Sequence, residues 1–131
     1  MLTFRRRHRL GHAREFQAVY AARAVAKQGP LTVFGLPNAR GEARLGLSVG
    51  RRAGGAVVRS AAKRRVREAF RTVRAEFERP VGALDIVVVV GPHEPLTGDA
   101  YHQLLRAAAK RLWKVWDRRS AGAESEPRAG S

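Results

Sequence analysis

The chain contains no cysteine. Disulfides, zinc–thiolate sites and a cysteine nucleophile are therefore excluded. Long apolar runs are missing too. The longest, Ile86 to Val90, has five residues, against the roughly 20 of a membrane-spanning helix. The basic stretch Arg5-Arg6-Arg7-His8-Arg9 is followed by no apolar segment, so no secretory signal is expected. It carries little serine and leads straight into a helical pattern, which argues against an organellar presequence. Lysine is scarce as well: Lys27, Lys63, Lys110 and Lys114 are the only four, and the other cations are arginines.

Acidic residues are few, 11 against 26 Lys+Arg, and they are scattered. No DxD, HxH or ExxH grouping brings together the carboxylates or imidazoles that protein-based nuclease chemistry needs. His8 and His12 share an i, i+4 spacing, but the arginines around them would repel a metal ion. Both are expected to be exposed polar residues. Gly50 to Gly55 (GRRAGG) matches neither GxxxxGK[ST] nor GxGxxG, so no nucleotide site is assigned. The expectation is a protein with no catalytic residues and no metal site of its own.

What is present is positive charge on a chain able to fold. The 131 residues suit one domain. Hydrophobic residues make up 44% and the mean hydropathy is −0.35. The net charge is +15 and the isoelectric point near 11.8. Such a domain repels itself, so its charge is expected to face a polyanion. Arginine forks onto phosphates and stacks on bases.

Residues 1–11 read as a basic, extended arm. Phe16, Val19 and Tyr20 share one face of a helix predicted over Ala13 to Ala22. Gly29 and Pro30 break the chain. Leu31 to Leu36 and Arg44 to Val49 read as strands flanking a turn, with antiparallel pairing expected. The clearest element is a helix from about Ala56 to Phe77. Ala62, Val66, Ala69, Phe70, Val73 and Phe77 form its apolar stripe. Arg59, Lys63, Arg67, Arg71 and Arg74 form a second stripe, widened by Arg64 and Arg65, and only Glu68 and Glu76 oppose it. Like charges at i, i+4 weaken an isolated helix, so an anionic neighbour is expected. Asp85 to Val90 reads as a strand buried on both faces, joined to Val49 by a strand–helix–strand crossover and so parallel to it. Thr97 is a candidate N-cap for a last helix to about Trp116. Residues 120–131 read as a disordered tail, leaving 1–119 as the domain. Phe70, Phe77, Trp113 and Trp116 read as core or edge packing.

Leu45-Gly46-Leu47-Ser48-Val49, then Arg51-Arg52-Ala53-Gly54-Gly55-Ala56-Val57-Val58-Arg59-Ser60-Ala61-Ala62-Lys63-Arg64-Arg65-Val66-Arg67-Glu68-Ala69-Phe70-Arg71, resembles the signature of the bacterial ribonuclease P protein family. Arg9-Leu10, Glu15-Phe16 and Tyr20 resemble its N-terminal segment. The likeness spans roughly residues 5–116. Gly55, Ser60 and Ala61 depart from it, where Asn, Asn and Arg are usual.

The resemblance implies an α+β fold: a single-domain α/β sandwich with about four strands, three helices and a left-handed strand–helix–strand crossover. It implies a cytoplasmic protein subunit of a ribonucleoprotein endoribonuclease that removes 5′ leaders from precursor tRNA. The RNA subunit, with Mg²⁺, would do the chemistry. Arg51, Arg52, Arg59, Ser60, Lys63, Arg64, Arg65, Arg67 and Arg71 would contact that RNA. Arg9, Phe16, Tyr20 and Phe34 would hold the leader. Read without the resemblance, Phe16 and Tyr20 are core residues. No DNA or membrane partner is expected. One rival reading is a ribosomal-type or general RNA chaperone. The other is a DNA-binding regulator, against which stand the strand and glycine-rich loop before the basic helix.

Overall fold

The computed structural model describes residues 6–80 and 82–125. Its centre is a strand, β5 (Gly82–Val90), whose residues Ala83 to Val88 are all buried. A strand apolar on both sides belongs where both sides are covered. β5 pairs antiparallel with β2 (Leu31–Asn38), with Phe34 opposite Val87. On its other edge it pairs parallel with β3 (Arg44–Val49), with Leu45 opposite Ile86. The parallel crossover expected from the sequence is present. The antiparallel pairing expected between β2 and β3 is not. β5 stands between them because it alone is apolar enough for the middle, whereas β3 alternates and suits an edge.

The sheet has five strands rather than about four. β1 (Val25–Gln28) pairs antiparallel with β2, and Gly29-Pro30, expected only to break the chain, turns the hairpin between them. Gly29 takes φ +54° there, a region that glycine enters without steric cost. The two-residue β4 (Glu78–Arg79) pairs with β5. The order is β1-β2-β5-β3, with β4 off that path.

Two helices cover one face of the sheet. α2 (Ala56–Val73) buries Ala62, Val66, Ala69, Phe70 and Val73, the expected stripe. It tightens into a 3-10 turn at Arg74–Phe77, where Phe77 packs on Phe70 with ring centroids 5.9 Å apart. α3 (Gly98–Ser125) opens at the expected cap, where the Thr97 hydroxyl accepts from the Ala100 N–H at 3.1 Å. Tyr101, Leu105, Ala108 and Leu112 bury its inner side. Trp116 Nε1 donates to the Gly35 carbonyl at 3.1 Å. α3 comes this close because residue 35 has no side chain: a Cβ there would lie 3.0 Å from Leu112 Cδ1.

α3 runs past Trp116 to Ser125, so residues 120–125, expected as disordered tail, are helical. Proline, which stops a helix, is absent until Pro127. The rest of the expected tail, 126–131, lies outside the described residues, as do residues 1–5 of the arm. From Arg6 to His8 the arm is a 3-10 turn rather than extended. Arg9 then bridges to Leu45, and the Leu10 N–H donates to the Leu45 carbonyl at 3.0 Å. His8 is buried at 1% exposure, not exposed as expected, and bonds to Glu42. Glu42 and Arg74 are the polar neighbours of its ring.

Gly55 is the N-cap of α2 and makes no side-chain cap bond. Its φ of −71° suits any residue, and a Cβ there would meet nothing within 4 Å. Gly55→Asn is therefore expected to stabilise the fold by a few tenths of a kcal/mol, about 1–2 °C in Tm, read by thermal melting.

Candidate nucleic-acid interface

The sheet's other face carries α1 (Ala13–Ala21) over only part of its area. A second apolar cluster forms there. Leu10, Val19 and Val87 are buried, and Phe16, Tyr20, Phe34, Leu36 and Val89 pack on them half-buried. Tyr20 and Phe34 meet edge to face at 4.9 Å. The expected aromatic trio thus lies on one surface between α1 and the sheet. Phe16 and Tyr20 are neither plain core nor free surface: one side of each ring is packed and part of each remains accessible.

Gly46 seats this cluster. A Cβ at Gly46 would stand 2.6 Å from Phe16 Cζ and 2.8 Å from Cε2. A glycine inside an alternating strand marks such a close approach, and that was the signal for Gly46 in the sequence. Gly46→Val is expected to push Phe16 out and lift α1, costing about 1–3 kcal/mol. Urea denaturation reads the stability, and quenching of a labelled single-stranded RNA reads the cleft. Unchanged values in both would show that Phe16 does not rest on this glycine.

A polar clamp fixes α1 over the sheet. Arg44 Nη1 donates to Glu15 Oε2 on α1 at 2.7 Å. Its Nε and Nη2 donate to Asp85 on β5 at 2.9 and 2.7 Å. Asn38 on β2 donates to Asp85 Oδ1 at 2.7 Å. Glu15 Oε1 also accepts from the N–H groups of Gly11 and His12 at 3.0 and 3.1 Å, capping the helix. Burial acts to raise the Glu15 carboxyl pKa, but the Gly11 N–H, the Arg44 guanidinium and the His12 N–H outweigh it and hold it below its ordinary value. Asp85 and Arg44 sit in the sequence as ordinary strand residues, so nothing there announced the clamp.

The cationic stripe of α2 divides in two. Arg59, Lys63 and Arg67 follow one flank of the helix. Lys63 and Arg67 line a cavity of about 170 Å³ with Arg9, Leu10, Phe16 and Gly46. This joins the arm and the aromatic cluster to the basic helix as one continuous surface. Ser60 and Arg64 are exposed further round the helix, and Arg51 and Arg52 are exposed in the 3-10 turn before it. Among the described residues, Arg51, Arg52, Arg59, Lys63, Arg64, Arg65 and Arg67 form no ion pair. Arg59 Nε is buried without an acceptor.

Three expected members behave differently. Arg71 pairs with Glu68, with Nε 3.1 Å from Oε1. Arg74 lies in the turn after α2, where it contacts His8 and pairs with Glu78 at 3.3 Å. Arg65 projects from the opposite flank into a pocket shared with α3. Among the described residues, no three His, Asp or Glu side chains converge to hold a metal ion, and no helix is long and apolar enough to cross a membrane.

The model of the ribonuclease P family matches residues 4–116. The chain belongs to that family. Its members are the protein component of a ribonuclease. The ribonuclease P protein component of Brevibacillus brevis is 38% identical over 109 residues, covering 81% of this chain and 83% of that one. That of Burkholderia mallei is 45% identical over 64 residues, 48% of this chain and 46% of the other. Among solved structures, the ribonuclease P protein of Staphylococcus aureus superposes with a TM-score of 0.63 at 25% identity, covering 83% of this chain and 94% of that one. The Thermotoga maritima protein gives 0.62 at 26% identity over 74% and 90%. The family resemblance read from the Gly46 strand and the α2 signature is thereby borne out, and so is the α+β fold with three helices.

Proposed function

We propose that this chain binds the catalytic RNA subunit of ribonuclease P and the 5′ leader of precursor tRNA, assisting endonucleolytic removal of the leader. One observation carries the reading: a single surface runs from the half-buried rings of Phe16, Tyr20 and Phe34, past Arg9, to Lys63 and Arg67 on α2. Stacking on aromatic rings contributes about 1–3 kcal/mol per base and tolerates any sequence, as a processor of many tRNAs requires. Among the described residues Lys63 and Arg67 form no ion pair, so phosphate is the complementary partner. Arg59 Nε strengthens the case. A buried donor without an acceptor costs about 1–3 kcal/mol, which a phosphate oxygen reaching it would relieve.

The chemistry belongs to the RNA subunit with Mg²⁺. The described residues offer no converging carboxylates to fit that ion, and the protein's part is to bind and align. The subunit works among cytoplasmic tRNA precursors. The test adds purified protein to its cognate RNA at low Mg²⁺ and follows cleavage in single turnover. Restored cleavage that depends on the leader is the expected result. Equal stimulation of substrates with and without a leader would favour a general RNA chaperone.

A further inference from the structure

α3 carries six cations between Arg106 and Arg119, against one acid, Asp117, which pairs with Arg79 at 2.8 Å. Among the described residues, Arg111, Lys114 and Arg118 form no ion pair. The three line an open groove of about 430 Å³ with Val115 and with Val25 of β1. β1 is one edge of the sheet, and β3, beside the arm and α2, is the other. At the usual strand spacing the two edges stand roughly 14 Å apart. This groove is therefore separate from the cationic flank of α2.

It adjoins the aromatic cluster instead. Val25 stands opposite Phe34 in the β1–β2 ladder, and opposed residues share one face of a sheet. Val25, 41% exposed, thus lies beside the ring that meets Tyr20. Lys27, two residues on, is exposed on that same face. Arg119 Nη1 donates to the Ala22 carbonyl at 2.6 Å, which fastens α3 to the turn between α1 and β1. The rings, the β1 edge and the cationic flank of α3 follow one another across the surface.

That turn holds a strained residue. Arg23 has φ +54°, the only positive φ outside glycine among the described residues. Its N–H donates to the Tyr20 carbonyl at 3.1 Å, closing α1 at a position that glycine usually fills. A side chain is unfavourable in this region. Arg23 is exposed, and among the described residues no ion pair offsets the strain. Backbone strain of this kind gathers where a ligand is held.

We propose that the 5′ leader of precursor tRNA leaves the ring cleft over β1, and that its outer phosphates rest on Arg23, Lys27, Arg111, Lys114 and Arg118. The inference rests on the leader binding proposed above and extends it to nucleotides that the rings do not reach. Phosphate is the group recognised. Arg79 already lies over the Trp113 ring and Arg119 over the Trp116 ring, and both indole N–H groups donate to carbonyls, so bases have no open platform here. Val25 is the one large apolar side chain exposed in the groove. That is too little for the dry centre of a protein interface or for entry into a bilayer. Arg118 stands past residue 116, where the family match ends, so part of this subsite lies outside the matched segment.

The test reconstitutes the full chain with its RNA subunit and compares precursor tRNAs with leaders of about four and about sixteen nucleotides. Single-turnover cleavage at rising holoenzyme concentration gives the apparent affinity for each. The long leader is expected to bind about tenfold tighter than the short one, through its extra phosphates. Arg111→Gln, Lys114→Gln and Arg118→Gln together place good helix formers at exposed positions. They should abolish that gain and leave the short-leader affinity unchanged. Arg23→Gly should reduce the gain while raising the melting temperature, since glycine takes this φ freely. A merely structural arginine would not give those opposite changes. A gain retained in either variant, an equal loss for both leaders, or a melting temperature that falls with the gain in Arg23→Gly overturns the inference. So does a parent holoenzyme that prefers a leader to none but binds both lengths alike. A parent indifferent to any leader would instead sink the leader binding proposed above.

Discussion

Replacing Arg59, Lys63 and Arg67 together with alanine is expected to weaken binding to the RNA subunit roughly a hundredfold at physiological salt and to flatten the log–log salt dependence by about 2–3. The size follows from what these side chains lack. Among the described residues none has an ion-pair partner, so each charge removed is one taken from the RNA and not from the protein's own network. The fold should survive: the three stand at i, i+4, i+8 outside the buried stripe, and removing like charges at that spacing slightly favours a helix. Arg71→Ala is the internal comparison. Its pairing with Glu68 leaves less charge to give, so its effect should be smaller. Filter binding across a salt series measures both, and an unchanged slope in the triple variant would remove this flank from the interface.

Arg44→Ala is expected to be the most damaging single substitution for stability. Its guanidinium joins α1, β3 and β5, with Arg44 11% and Asp85 9% exposed. Removing one partner of a buried pair leaves the other charge uncompensated, about 3 kcal/mol for groups this enclosed and some 10 °C in Tm. α1 should loosen with it, so affinity for single-stranded RNA should fall alongside. The acid side adds a signature. Glu15 and Glu42 titrate below their ordinary 4.5, Glu42 chiefly through its bond to His8. A carboxyl lowered by folding contributes stability that is complete above its unfolded value and is lost as pH falls through its folded one. Urea denaturation from neutral pH down past 4.5 should show declining stability in the parent chain. The decline should be shallower in Arg44→Ala, where Glu15 keeps only its backbone donors. Equal slopes would mean that Arg44 does not set the Glu15 ionisation.

Periodicity made the large elements legible. The apolar stripe of α2 is the buried one, β5 is covered on both faces, and Thr97 caps α3. Partner choice was not legible. β2 and β3 are separated by a short turn, and local spacing alone favours a hairpin. Only competition for the middle of the sheet, decided by the apolar run after α2, places β5 between them. β1 escaped notice because Val-Ala-Lys-Gln is too short and mixed to show alternation. On α2, charge spacing grouped Arg59, Lys63 and Arg67 on one stripe. It could not distinguish them from Arg74, which spacing places on the same stripe but which a turn and His8 draw inward, or from Arg65, which faces α3. Phe16, Tyr20 and Phe34 were assembled by the family resemblance rather than by the residues, because rings half in the core and half out leave the same periodic trace as rings wholly inside.

The middle strand of the sheet is the last strand to be synthesised. Until Gly82–Val90 leaves the ribosome, β2 and β3 each lack the edge they share with it. Ninety of the 131 residues are thus made before β2 and β3 can both close on β5, a topology that slows folding and keeps strand edges open. Most of its arginines emerge first. Nascent chains lengthened stepwise through residue 90 should remain protease-sensitive until that segment clears the exit tunnel, and a polyanion already gathered on the basic segment would shield the waiting chain from its own charge.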